Sequence, residues 1–151
     1  MPKETFMVIE EVEHRTEALI GTLLSVWESS VRTTHDFLSE QDIIMLRPDV
    51  LTALRHVPVL LVALEEENPV AFLGMDGKSV EMLFVDAAFR GFGTGSMLMH
   101  AAMSRGACRV DVNEQNPQAL GFYLHMGFVV SGRSPKDAQG RPFPILHLRL
   151  A

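Results

Sequence analysis

Apolar side chains recur along this chain with two different periods, and the switches between them outline its elements. Phe6–Glu10 is short and apolar enough for a strand. From about His14 to Val31, the apolar positions Ile20, Leu23, Leu24, Trp27 and Val31 form one stripe at helical spacing. Ser39, with Asp42 three residues on and Leu38 and Ile43 flanking, reads as a capping box with a hydrophobic staple. It opens a second helix that should end before Pro58.

Val59–Leu64 and Val70–Met75 are apolar runs separated by Glu-Glu-Glu-Asn-Pro, the pattern of a hairpin. Asp76-Gly77-Lys78 supplies a further turn before a strand over Ser79–Val85. A helix to about Arg105 follows, with Met97, Leu98, Ala101 and Ala102 on one side, and then a strand over Cys108–Val112. Pro117 at a first helical position, with Asn116 as N-cap, begins a helix closed by Gly127. Phe128–Ser131 and Ile145–Leu150 read as the last strands. The order β-α-α-β-β-β-α-β-α-β-β predicts an α/β fold. Its central run of three strands departs from the strict alternation of a doubly wound nucleotide-binding sheet.

Size and composition narrow this further. At 151 residues, residues 1–151 are expected to form a single domain. The lone Cys108 excludes an internal disulfide and reads as a small apolar residue of a strand. No charged-then-apolar signal pattern opens the chain. The longest strongly apolar run, Val57–Leu64, contains Pro58 and falls far short of the roughly twenty residues that span a bilayer. A cytoplasmic protein without membrane attachment is expected. The net charge of −6 argues against general nucleic-acid binding and suits a cationic partner such as an amine. His100, His125 and His147 are scattered without metal-ligand spacing, so no metal site is proposed.

The chemistry concentrates in Arg90-Gly-Phe-Gly-Thr-Gly-Ser, between a predicted strand and a predicted helix. Glycines free the backbone to turn, and N–H groups at a helix N-terminus attract an anion. No lysine follows the glycines, which argues against an NTPase loop. Gly91 and Gly93 with Asp111 about twenty residues on partly match a dinucleotide fingerprint, but Ser96 stands where its third glycine belongs.

Arg90-x-x-Gly93-x-Gly95 also resembles the pyrophosphate-binding signature of the GNAT family of N-acetyltransferases. A second block, Asn116-Pro-Gln-Ala119-Leu-Gly-Phe122-Tyr123-Leu-His-Met-Gly127-Phe128, is similar to that family's downstream motif. The motif resemblance covers roughly Glu81–Arg133. It implies the GNAT acyl-CoA acyltransferase fold, a twisted mixed β-sheet with helices on both faces, as in small bacterial acetyltransferases of unassigned substrate. It also implies direct acetyl transfer from acetyl-CoA to a primary amine in a ternary complex.

On that resemblance, Arg90, Gly91, Gly93, Thr94, Gly95 and Ser96 hold the cofactor, with Asn116 and Tyr123 beside its arm. A backbone N–H of Phe84 or Val85 would face the thioester oxygen, and Tyr123 would protonate the leaving thiolate. Glu81 is the candidate base, with His35, Glu114 or water as alternatives. His35 and Trp27 are candidates for the acceptor side, Trp27 being equally a member of its helix's core stripe. The acceptor is an amine-bearing small molecule, peptide or protein, and a homodimer is compatible with the family. A CoA-binding sensor without turnover, or a nucleotide-binding domain, are the other functional readings.

Overall fold

The structure, a computed structural model, describes residues 7–151. Seven strands form one sheet in the order β1-β2-β3-β4-β5-β7-β6. They are β1 (Met7–Glu11), β2 (Val59–Glu65), β3 (Asn68–Asp76), β4 (Ser79–Val85), β5 (Arg109–Asn113), β6 (Phe128–Ser134) and β7 (Ile145–Leu150). The helices are α1 (Glu17–Thr34), α2 (Glu40–His56), α3 (Thr94–Ser104) and α4 (Pro117–His125), with a single 3-10 turn at Ala87–Phe89. The element order is the one the sequence predicts. Phe6, the expected first residue of β1, lies outside the described residues.

Local chemistry sets the boundaries. Thr16 caps α1 through Leu19 N–H, so the helix starts later than His14 and runs on to Thr34. The capping box at Ser39 and Asp42 is complete in both directions. Pro48 lies inside α2, where it forgoes one backbone hydrogen bond without ending the helix. In α3 the buried positions are Leu98, Met99 and Ala102 beside Thr94, whereas Met97 points outward.

Strand alternation divides the core in two. Phe72, Leu60 and Val62 pack with Leu23, Trp27 and Leu54 beneath α1 and α2. Leu61, Leu73 and Val110 pack with Leu98, Met99 and Tyr123 beneath α3 and α4. Helices therefore cover both faces of the β3–β4 region.

One junction positions everything that follows. All other neighbouring strands pair antiparallel, but β4 and β5 are parallel and pair only at Ser79↔Arg109 and Val80↔Val110. Beyond those two pairs the strands separate. The fork leaves one edge of β4 open to a ligand.

Candidate active site

Two cavities meet at this fork. The larger, about 290 Å³, is walled by the glycine loop, the end of β4 and the α4 residues Gln118, Phe122 and Tyr123. The smaller, about 190 Å³, lies between the separating strands and is walled by Glu81, Asp111, Asn113 and Tyr123 among others. His35, Leu83, Phe84, Asn116, Ala119 and Tyr123 border both.

The larger cavity has the features of an anion cradle. Gly91 and Gly93 adopt φ of 84° and 78°, values that favour glycine, and so fold the loop back onto the start of α3. Among the described residues, the N–H groups of Gly91 through Ser96 make no hydrogen bond, the first helical donor being Met97 N–H to Gly93 O at 3.0 Å. Thr94 Oγ1 is buried and equally without a partner. Unsatisfied donors at a helix start, with a buried hydroxyl among them, fit a phosphorylated ligand. Arg90 is exposed and donates from Nη2 to Gln118 Oε1 at 2.7 Å, tying the loop to α4.

The β4 edge can be read from its ladder. Asp86 N–H donates to Val70 O at 2.8 Å, which makes that pair hydrogen-bonded. Antiparallel alternation then turns Phe84 N–H toward β3, and Leu83 and Val85 N–H toward the fork. Of the two donors the sequence suggested for the thioester oxygen, the N–H of Val85 faces the cleft and that of Phe84 points to β3. Leu83 N–H faces the cleft as well; the sequence does not show which N–H groups do so, because ladder phase is a property of the pairing.

Tyr123 is 6% exposed, held by edge-to-face contacts with Phe122 and Phe128. Its hydroxyl makes no hydrogen bond among the described residues, and burial pushes the phenol above its ordinary pKa. A neutral phenol at the junction of two cavities can donate a proton into either.

Asn116 caps α4, its Oδ1 accepting from Ala119 N–H at 3.2 Å. That fixes the amide, leaving Nδ2 facing His35 Nε2 at 3.2 Å. Thr34 Oγ1 donates to Ser30 O at 2.8 Å and lies 2.7 Å from His35 Nδ1. Nδ1 therefore carries the proton toward Thr34, and Nε2 accepts from Asn116. Burial lowers the His35 pKa from 6.5 to about 4, with Asp36 opposing weakly. An imidazole whose free lone pair already accepts a hydrogen bond is a poor base.

Glu81 lines the smaller cavity, and no described residue pairs with it. Desolvation, then the carboxylates of Asp111 and Asp76, raise its pKa. Glu114 is instead ion-paired with Arg133. Trp27 is 3% exposed within the α1–α2 core, and packing leaves no indole face for an acceptor. Cys108 lines neither cavity. His147, scattered in sequence, stands between Asp111 and Ser134, with Nδ1 2.7 Å from Asp111 Oδ1 and Nε2 2.7 Å from Ser134 Oγ.

Comparison with known proteins decides what the fork belongs to. A family model for the acetyltransferase (GNAT) domain matches residues 57–130. The chain is 41% identical over 127 residues to the peptidyl-lysine N-acetyltransferase YjaB of Salmonella typhimurium, across 83% of this chain and 88% of that one. The Escherichia coli protein of the same name is 40% identical across 83% and 86%. This chain belongs to the GNAT acetyltransferase family.

The apo solution structure of Escherichia coli YjaB superposes with a TM-score of 0.86 at 38% identity, covering 97% of this chain and 98% of that one. An N-acetyltransferase from Thermoplasma acidophilum, solved with coenzyme A, shares the fold at a TM-score of 0.67 and 19% identity, across 94% and 99%. The chain is thus a GNAT N-acetyltransferase that uses acetyl-CoA, and an amine is its acceptor. A nucleotide-binding domain and a CoA sensor are not favoured. Among the described residues, no helix is long and apolar enough to cross a membrane.

Proposed function

We propose that this acetyltransferase acts on lysine side chains of protein substrates by direct transfer in a ternary complex. The observation that carries the reading is the position of Tyr123. Its ring is buried and its hydroxyl, without a partner among the described residues, sits where the glycine-lined cavity meets the acid-lined one. The substrate class draws on the two peptidyl-lysine acetyltransferases named above.

Acetyl-CoA supplies the activated acetyl thioester. The loop N–H groups of Gly91–Ser96, Thr94 Oγ1 and the guanidinium of Arg90 would hold its phosphates. Leu83 and Val85 offer outward N–H groups to the oxygen on which negative charge develops. Glu81 would take the proton from the acceptor ammonium, whose ordinary pKa near 10.4 keeps it charged at neutral pH. Its raised pKa makes it a stronger base than an ordinary carboxylate. Tyr123 would deliver a proton to the departing thiolate. Asn116 and His35 brace the α4 start against α1, holding Tyr123 in place.

Steady-state kinetics with an internal-lysine peptide tests this. The expected result is an intersecting pattern, with Cys108→Ala retaining activity. A ping-pong pattern would overturn direct transfer, and failure on every lysine peptide would overturn the substrate.

A further inference from the structure

The chain Asp111–His147–Ser134 is not used by the chemistry above, yet it borders the reaction site. It spans three adjacent strands: Asp111 on β5, His147 on β7 and Ser134 on β6. His147 bridges the other two at 2.7 Å on each side. One carboxylate oxygen of Asp111 is thereby fixed, and the residue lines the smaller cavity.

Its position relative to Glu81 is specific. Val80↔Val110 is the last pair of the parallel ladder, and the next residue on each strand is Glu81 and Asp111. Two carboxylates therefore stand where the fork opens. Like charges set side by side on neighbouring strands are unfavourable, and no described cation pairs with Glu81. A third group points into the same space: Tyr123, more than nine-tenths buried, whose hydroxyl has no partner. Two carboxylates and a phenol lining one cavity favour a ligand that carries one compact positive charge and ends at the reacting atom. A primary ammonium on a flexible stem has that chemistry.

We propose that Asp111, oriented by His147, anchors the acceptor's ammonium opposite Glu81. The inference rests on the lysine reading above and deepens it. Asp111 is the contact residue. His147 is a positioning residue that holds one carboxylate oxygen so that the other faces the cleft, and Ser134 fixes the imidazole in turn. The alternative is a simple staple between β5, β7 and β6.

The test is the KM and kcat of Asp111→Asn, His147→Ala and His147→Asn with an internal-lysine peptide, alongside thermal stabilisation by CoA. Because Asp111 is largely exposed, its side chain 65% accessible, the expected rise in peptide KM is modest. It should be about fivefold for Asp111→Asn, with the CoA shift retained. His147→Ala should move KM in the same direction. His147→Asn, which keeps an N–H donor near the Nδ1 position, should recover most of the loss. Unchanged KM in Asp111→Asn overturns the anchor while leaving the lysine reading intact. So does a parallel fall in kcat, CoA shift and melting temperature, the signature of a staple. A wild-type enzyme inactive on lysine peptides overturns both.

Discussion

His35 Nε2 lies 3.2 Å from Asn116 Nδ2, joining the end of α1 to the start of α4 across the mouth of the cleft. Asn116 can donate because its Oδ1 is committed to Ala119 N–H, and His35 can accept because its proton faces Thr34. The link therefore requires a neutral imidazole.

A pH dependence of stability follows. The folded pKa of His35 is depressed from 6.5 to about 4, so the unfolded chain takes up this proton first. The contribution is present in full above pH 6.5 and is lost as pH falls from there toward about 4. Its ceiling is on the order of 3 kcal/mol, since one pKa unit is worth about 1.4 kcal/mol. His35→Gln cannot titrate, so its melting temperature should fall less over that window than the wild type's. Parallel curves for the two proteins would show that the link does not depend on the neutral ring.

Much of this architecture was legible in the residues. Ser39 and Asp42, Asn116 and Pro117, and the glycines of the loop each report a local backbone requirement, so the element order followed from them. The two motif blocks, with their separation, pointed to the cofactor. What the residues hid was non-local. The direction of Leu83 and Val85 N–H depends on the phase of the β3–β4 ladder. The meeting of Asp111, His147 and Ser134 depends on β7 inserting between β5 and β6. Trp27 fitted both a core stripe and an acceptor wall at helical spacing, and only packing separates them. Glu114 stood as an alternative base because its partner Arg133 comes from β6, distant in sequence.

Replacing Tyr123 by Phe keeps the ring and its contacts with Phe122 and Phe128 but removes the proton donor. The fold should persist with a nearly unchanged melting temperature, because the hydroxyl that is removed has no partner among the described residues and the ring packing stays. Turnover should fall by about a hundredfold, the lower range for loss of a general acid, while CoA still stabilises the protein. Undiminished kcat on a lysine peptide would reassign the proton donor.

Thr94→Val separates cofactor contact from packing. Thr94 is 1% exposed and its Oγ1 has no partner, so the near-isosteric valine should leave the ligand-free protein as stable or more so. If Oγ1 meets a phosphate oxygen, CoA affinity should weaken roughly ten- to a hundredfold, the worth of about one hydrogen bond to a charged group. Calorimetric titration with CoA reads this directly. Equal affinities in the two proteins would remove Thr94 from the phosphate site and leave the cradle to the backbone.

Glu81→Gln tests the base with two opposed signs. The Glu81 pKa is raised in the folded protein by desolvation, then by Asp111 and Asp76. Its contribution to stability is thus present at low pH and lost as pH rises through the folded value. At neutral pH the glutamine variant should melt no lower than wild type, and the difference should shrink on acidification. Activity should move the other way, with kcat/KM falling about a hundredfold or more. The wild-type limb in which kcat/KM rises with pH should lie above the ordinary carboxylate range and disappear in the variant. A variant that retains both the rate and the limb would transfer the base role to water, since His35 is committed to Asn116 and Glu114 to Arg133.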